Sequence, residues 1–242
     1  FNDFGRDAYF AAFKIPDFLF FALSSGALAV AFMPILSDKL TKSGKQSAWR
    51  LTSSILNTLA LGSFFLSLII LIFAPQIVNI FHFEGAQKEL CASIMRVIAV
   101  NPFLFSISTV LTTAQQSVGR FFFFAAAPLV YNTSIIVGIL LFRDSLGIMA
   151  PAVGVAIGAL LQLFVAALGM LGLNFRYTWG IDARNSDYRG VMKALPARSI
   201  DQGIDYINAI FETRFASKLV SLGQYGAVSN YENALLLHNA PI

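Results

Sequence analysis

Five stretches of this chain run apolar and almost uncharged with no alternation of polar positions: Phe18–Ser37, Leu51–Ala74, Val97–Gly119, Phe121–Phe142 and Ser145–Phe175. Each reaches or exceeds the roughly 20 residues that a helix rising about 1.5 Å per residue needs to cross about 30 Å of hydrocarbon. Backbone in lipid must satisfy its own hydrogen bonds, which leaves helices or barrel strands, and runs of this length without a period of two exclude the barrel. The pattern predicts an all-α polytopic transmembrane helical bundle. A first helix is expected over Asp7–Leu36, kinked at Pro16, and a polar loop over Ser37–Lys45. Further helices are expected over 46–74, 86–118, 121–142 and 149–173. A polar connection from Asn174 to Asp187 precedes a less apolar helix, Tyr188–Leu219, and another begins at Ala227.

Composition agrees with a membrane protein. Hydrophobic residues make up 57% of the chain and charged residues 12%, and mean hydropathy is +0.69, too little polar surface to cover a soluble exterior. The single cysteine, Cys91, has no internal disulfide partner and reads as a small buried hydrophobe. The chain opens at Phe1 and stops at Ala240-Pro241-Ile242, just as an apolar segment begins, so it reads as a piece of a longer protein.

Charge changes the picture by giving the bundle two sides. Lys39, Lys42, Lys45 and Arg50, then Arg120, then Arg176, Arg184, Arg189, Lys193 and Arg198 alternate along the chain with loops holding Lys88, Arg143 and Lys218. Short loops rich in Lys and Arg stay cytoplasmic, so the alternation fits spans that each cross once. The net charge of +4 follows from this topology, and the interleaved basic residues form no nucleic-acid patch.

Ionisable groups inside spans are functional candidates because burial in lipid costs several kcal/mol unless they are paired or hydrated. Asp7, Lys14 and Asp17 in the first helix stand seven and three residues apart, which puts Asp7 and Lys14 on one face and Asp17 one turn beyond Lys14. Arg96 either pairs with Glu89 or anchors its helix end, and Glu212 and Arg214 read as a surface pair. In the less apolar helix Asp201, Asp205, Asn208 and Glu212 fall within about 60° of one another, forming a polar face beside an apolar stripe of Ile200, Ile204, Ile207, Phe211 and Phe215. An acidic polar face favours a water-filled cavity over the basic headgroup interface. Gly154, Ala156, Gly158 and Ala159 give a small-residue face for close helix packing. His82 and His238 stand apart from any serine-and-acid arrangement, and neither a metal spacing nor a glycine-rich phosphate loop is visible, so no catalytic residue is assigned.

Two segments carry a family resemblance. Asp7-Ala8-Tyr9-Phe10-Ala11-Ala12-Phe13-Lys14-Ile15-Pro16-Asp17, followed by Gly26-Ala27-Leu28-Ala29-Val30-Ala31-Phe32-Met33-Pro34-Ile35-Leu36, resembles the second transmembrane helix of the MurJ (MviN) lipid II flippases, members of the multidrug/oligosaccharidyl-lipid/polysaccharide exporter superfamily. Ala127-Pro128-Leu129-Val130-Tyr131-Asn132-Thr133-Ser134, the Ala152–Gly158 segment with Gln162, Leu195-Pro196 with Gln202 and Asn208, and Leu237–Ile242 support it in order along the chain. Where many members carry paired arginines and an acid, this chain has Phe20, Phe21 and Ser25, and the family's eighth-helix arginine falls near Leu236. Lys14 is the matched headgroup cation.

The resemblance implies a two-lobed exporter-type fold with the N-lobe nearly complete and the C-lobe only begun: 1–175 as N-lobe helices lacking the first, 176–187 as a cytoplasmic linker, and 188–242 as helix 7 and the start of helix 8. The ten-residue span from Asp7 to Pro16 repeats from Glu232 to Pro241, as pseudo-symmetric lobes would give. Implied too is a multi-pass protein of the bacterial cytoplasmic (inner) membrane, not an enzyme, that moves lipid II, or a related undecaprenyl-diphosphate-linked glycan, by alternating access. Asp7, Lys14, Asp17 and Ser25 become the expected substrate residues, and Asp201, Asp205 and Asn208 the expected ion-coupling residues. No cofactor or metal is implied beyond coupling to sodium or membrane potential, and the implied partners are membrane lipids and cell-wall synthesis proteins. The alternatives are an exporter of another lipid-linked polysaccharide unit or a drug, a transport-inactive scaffold, or a membrane-embedded enzyme using Asp182 and Asp187.

Overall fold

The structure, a computed structural model, describes the backbone of residues 1–24 and 27–238 and the side chains of these except 23, 24, 27, 29 and 197–202. The described residues form α1 (Asp3–Ser24), α2 (Ala27–Lys42), α3 (Lys45–Ile77) with a short 3-10 turn after it, α4 (Gly85–Ile98) and α5 (Asn101–Ser117). They continue as α6 (Phe122–Leu146), α7 (Met149–Leu168), α8 (Ser186–Ser221) and α9 (Ala227–His238). Among the described residues there is no strand. Four segments are long and apolar enough to cross a membrane, Lys45–Ile80, Gly85–Ser117, Phe122–Leu146 and Met149–Leu168, and the chain is a multi-pass membrane protein.

Three boundaries differ from expectation. The loop expected over Ser37–Lys45 is helical up to Lys42, and α3 starts at Lys45, leaving a turn at Ser43 and at Gly44, whose φ of +80° suits glycine. The helix expected over 86–118 is two helices broken at Ala99 and Val100, where Pro102 sits in the first turn of α5 and has no N–H to continue a hydrogen-bond ladder. The helix expected over Asp7–Leu36 is described as α1 up to Ser24 and α2 from Ala27.

Side-chain contacts sort the loops into two sides, as the Lys and Arg pattern predicts. On the basic side Arg120 donates to Leu171 O (2.6 Å), Asn57 reaches Thr178 O and Gly180 O, and Lys39 pairs with Asp187. On the opposite side Gln87 donates to Phe4 O (3.0 Å), and His82 meets Ser217 and Arg214 of α8. Two apolar clusters fill the interior. One gathers α1, α4, α7 and the outer ends of α3, α8 and α9 around Ala8, Cys91, Met95 and Val155, and the other joins α2, α3, α5 and α8 around Phe32, Trp49, Val110 and Val191. Cys91 is fully buried, as its sequence context suggested.

Helix α6 lies at the edge, with Phe122, Leu129, Leu140 and Leu141 all more than two-thirds exposed. Its exposed face is apolar enough to meet lipid. Its other face packs onto α7 at backbone contact: a Cβ on Gly138 would lie 2.7 Å from Gly154 Cα, and one on Gly158 2.9 Å from Tyr131 O. The small-residue reading of Gly154 and Gly158 matches this geometry.

Candidate functional site

A polar cluster is built where α1 meets α9 and α8. Alanines at positions 8, 11 and 12 of α1 are fully buried, so the neighbouring helices approach α1 closely there. Asp7 is fully buried. One of its oxygens accepts from Gly226 N (2.7 Å) and the other from Ser229 N (2.8 Å), at the turn that opens α9. A carboxylate on the first free N–H groups of a helix satisfies orphan donors and complements the positive end of the helix dipole. In this structure both Asp7 oxygens are committed to backbone N–H groups and closed off from solvent.

Two turns along α1, Lys14 Nζ lies 2.5 Å from a carboxylate oxygen of Glu232 on α9, with side-chain exposures of 15% and 13%. Asp17 lies half-buried one turn further, within electrostatic reach of Lys14 and Glu232. Tyr9, Tyr131 and Tyr206 ring the same spot from α1, α6 and α8, each within the field of Asp17. Two carboxylates around one ammonium leave a net negative charge if all three ionise, so a cation or a proton is the natural complement of this state. An anionic headgroup would need Glu232 drawn away from Lys14.

Phe20 and Phe21 are held by rings. Phe21 stacks on Tyr206 (4.2 Å between centroids, 20°), and Phe20 meets Phe105 edge-on, which in turn meets Tyr131. Side chains that are apolar in place of the family's arginines thus fill an aromatic wall between α1, α5, α6 and α8.

The structure therefore brings together Lys14 and Asp17 and adds Glu232, whose helix α9 is too short an apolar run to read as a span from sequence. The signal was present in the repeated ten-residue spacing that ends at Pro16 and Pro241. Ser25 and the side chain of Asp201 lie outside the described residues. Asp205, Asn208 and Glu212 are exposed on α8, as is the stripe of Ile204, Ile207, Phe211 and Phe215. Between residues 203 and 217 the buried positions of α8 are instead small or polar, Gly203, Thr213 and Ser217, while its two ends bury Val191, Leu195 and Val220. Glu212 accepts from Tyr231 OH (2.5 Å) rather than pairing with Arg214, and Arg96 donates to Leu71 O (3.4 Å) rather than to Glu89. Among the described residues no group of three metal-ligating side chains occurs.

Comparison with known proteins agrees with this architecture. Relatives include the probable lipid II flippase MurJ of Borreliella burgdorferi, 24% identical over 98% of this chain and 46% of that protein. The lipid II flippase MurJ of Thermosipho africanus is 29% identical over 71% of this chain and 36% of that protein. A solved structure described as lipid II flippase MurJ in an inward closed conformation superposes with a TM-score of 0.71 at 21% identity, covering 93% of this chain and 46% of that one. The chain spans about half the length of the curated relatives it matches. Residues 2–242 match the family described as lipid II flippase MurJ, and the chain belongs to that family.

Proposed function

We propose that the protein containing this chain flips lipid II, the lipid-linked peptidoglycan precursor, across the bacterial cytoplasmic membrane by alternating access, as a transporter and not an enzyme. The observation that carries this reading is the double clamp between α1 and α9: the Asp7 carboxylate on the N-terminus of α9 and the Lys14–Glu232 pair deeper in. Both contacts are polar, both lie between helices that the division into lobes assigns to different halves, and both can be remade without unfolding either helix. In this division residues 1–175 form N-lobe helices, 176–187 the linker and 188–242 the beginning of the C-lobe.

With the clamp closed, Lys14 is neutralised by Glu232. Entry of a diphosphate headgroup supplies a stronger anion for Lys14 and frees Glu232, so binding itself weakens the clamp. Asp17 then repels the headgroup phosphates and sets a directional bias for their release. The exposed polar stripe of Asp205 and Asn208, with Asp201 in register, is the proposed ion-coupling site, and the apolar stripe beside it faces lipid. Contact with cell-wall synthesis proteins is part of the same proposal, since lipid II is consumed by their polymerising chemistry.

Lipid II translocation in proteoliposomes by the full-length protein tests the reading. Transport by wild type and its loss in Lys14→Ala, with folding retained, is the expected result. No lipid II transport by wild type would overturn it and leave a flippase of another lipid-linked glycan or an inactive scaffold. Transport by Asp205→Asn that is unchanged across a sodium series would remove the ion-coupling assignment alone.

A further inference from the structure

A second polar site lies on the basic side, away from the clamp. A cavity of about 300 Å³ opens between the start of α3 and the segment after α7, lined by Lys45, Gln46, Trp49, Arg50, Asn174 and Arg176 among others. Among the described residues no Asp or Glu lines it, and none of its three cations takes part in an ion pair, whereas Lys39 and Lys42 nearby are paired with Asp187 and Asp38. Three unpaired cations around one concavity repel one another, and an anion relieves that repulsion.

Two further features have the same polarity. Lys45 and Gln46 are the first residues of a 33-residue helix whose N-cap is Gly44, which has no side chain to accept the first-turn N–H groups. Those groups and the helix dipole present positive charge. Trp49, held edge-on by Phe175 at 5.6 Å, is only 2% exposed, and its indole N–H has no acceptor. A buried donor without an acceptor is uncommon and costs free energy unless a ligand or water supplies one.

The depth of the cavity is marked by Trp179, 90% exposed and in ring contact with Tyr177 at 5.3 Å. Amphipathic rings of this kind settle at the headgroup level of a membrane. We propose that the cavity between α3 and the 174–178 segment binds a phosphate-bearing anion, and that the headgroup of an anionic phospholipid supplies it. Arg50 and Arg176 clasp the phosphate oxygens, Lys45 and the α3 N-terminus add positive field, and Trp49 donates its indole N–H. An occupant there ties the first turn of α3 to the segment leading into α8.

The test is thermal unfolding of the full-length protein in a maltoside detergent, titrated separately with short-chain phosphatidylglycerol, short-chain phosphatidylcholine and inorganic phosphate. Phosphatidylglycerol is expected to raise Tm with concentration and phosphatidylcholine to leave it unchanged. Neutralising Lys45, Arg50 or Arg176 singly to Gln is expected to weaken the apparent affinity by about fivefold each, and the triple variant to abolish the shift. Trp49→Phe keeps the ring packing and removes the N–H, and is expected to weaken binding by about fivefold. A matching shift from inorganic phosphate that competes with the lipid would keep the site and assign its source to soluble phosphate. An equal shift from phosphatidylcholine, or a phosphatidylglycerol shift that persists in the three single variants, would overturn the proposal. Lipid II transport is read in a separate assay, so the outcome is independent of the flippase reading.

Discussion

Lys14 on α1 and Glu232 on α9 form an ion pair at 2.5 Å, with each side chain about one-seventh exposed. Removing one partner of such a pair leaves an uncompensated buried charge and costs about 3–5 kcal/mol, while the pair as a whole adds little against an apolar substitute. Glu232→Ala is therefore expected to lower Tm sharply, and the charge swap Lys14→Glu with Glu232→Lys to recover most of that loss. If Lys14 holds the diphosphate from α1, the swap restores stability without restoring lipid II transport. Recovery of both would make the pair a clamp only, and transport by the swapped protein in proteoliposomes decides between them.

Asp7 is a helix cap reached across the bundle, and its removal is a local event. Asp7→Asn keeps one oxygen as an acceptor but loses the charge that complements the N-terminus of α9, so a loss of about 1–2 kcal/mol is expected. Asp7→Ala loses both hydrogen bonds and is expected to cost more. Amide exchange measures it directly: protection should fall at Gly226 and Ser229, whose N–H groups Asp7 accepts, and stay unchanged in α3 and α5. Uniform loss of protection would mean that Asp7 supports the whole fold.

Hydropathy and charge made the spans and their two sides legible, because lipid imposes a length and the loops carry their orientation in Lys and Arg. Breaks within spans were less legible. Pro16 lies inside an unbroken α1, whereas Pro102 begins a new helix, since a proline is tolerated wherever the donor it lacks can be spared. Asp7, Lys14 and Asp17 were found from their charge, but their roles depended on what faced them. Glu232 stands far along the chain, and periodicity within α1 holds no trace of it. The outward turn of Ile204, Phe211 and Phe215 on α8 was illegible for a similar reason: the buried stripe of this part of α8 is Gly203, Thr213 and Ser217, residues that a hydrophobicity pattern ranks as neutral.

The contact between α6 and α7 is tight enough to give a graded mutational response. A Cβ on Gly154 would stand 3.0 Å from both Ile135 Cα and Ser134 O, and one on Gly138 2.7 Å from Gly154 Cα, whereas Gly62 has nothing within 4 Å. Backbone cannot yield as a flexible side chain does, so Gly138→Ala and Gly154→Ala are each expected to destabilise by about 1–3 kcal/mol through overpacking. Gly62→Ala serves as the control and is expected to be neutral or slightly stabilising through helix propensity. Thermal unfolding of the three variants in one detergent checks the order; equal loss in all three would show that the helix contact is looser than its geometry.

The segment between α7 and α8 is held to α3 by side chains rather than by structure of its own. Asn57 donates to Thr178 O (3.1 Å) and Gly180 O (2.7 Å) and accepts from Tyr177 OH (2.5 Å). Ser53 and Ser54 accept from the backbone N–H groups of Thr178 and Asp182, and Thr58 shares a hydrogen bond with Tyr188 at the start of α8. A single polar face of α3 therefore fixes the path of the chain from α7 to α8. Asn57→Leu fills the same space but removes two donors and one acceptor, leaving two carbonyls to find water. The expected result is release of the segment without loss of the bundle: cleavage by trypsin after Arg176 and Arg184 should rise about tenfold, as loss of about 1.4 kcal/mol of local stability gives, while Tm changes little. Unchanged cleavage would show that the Ser53, Ser54 and Tyr188 contacts hold the segment alone. A fall in Tm matching the rise in cleavage would show that segment and bundle unfold together.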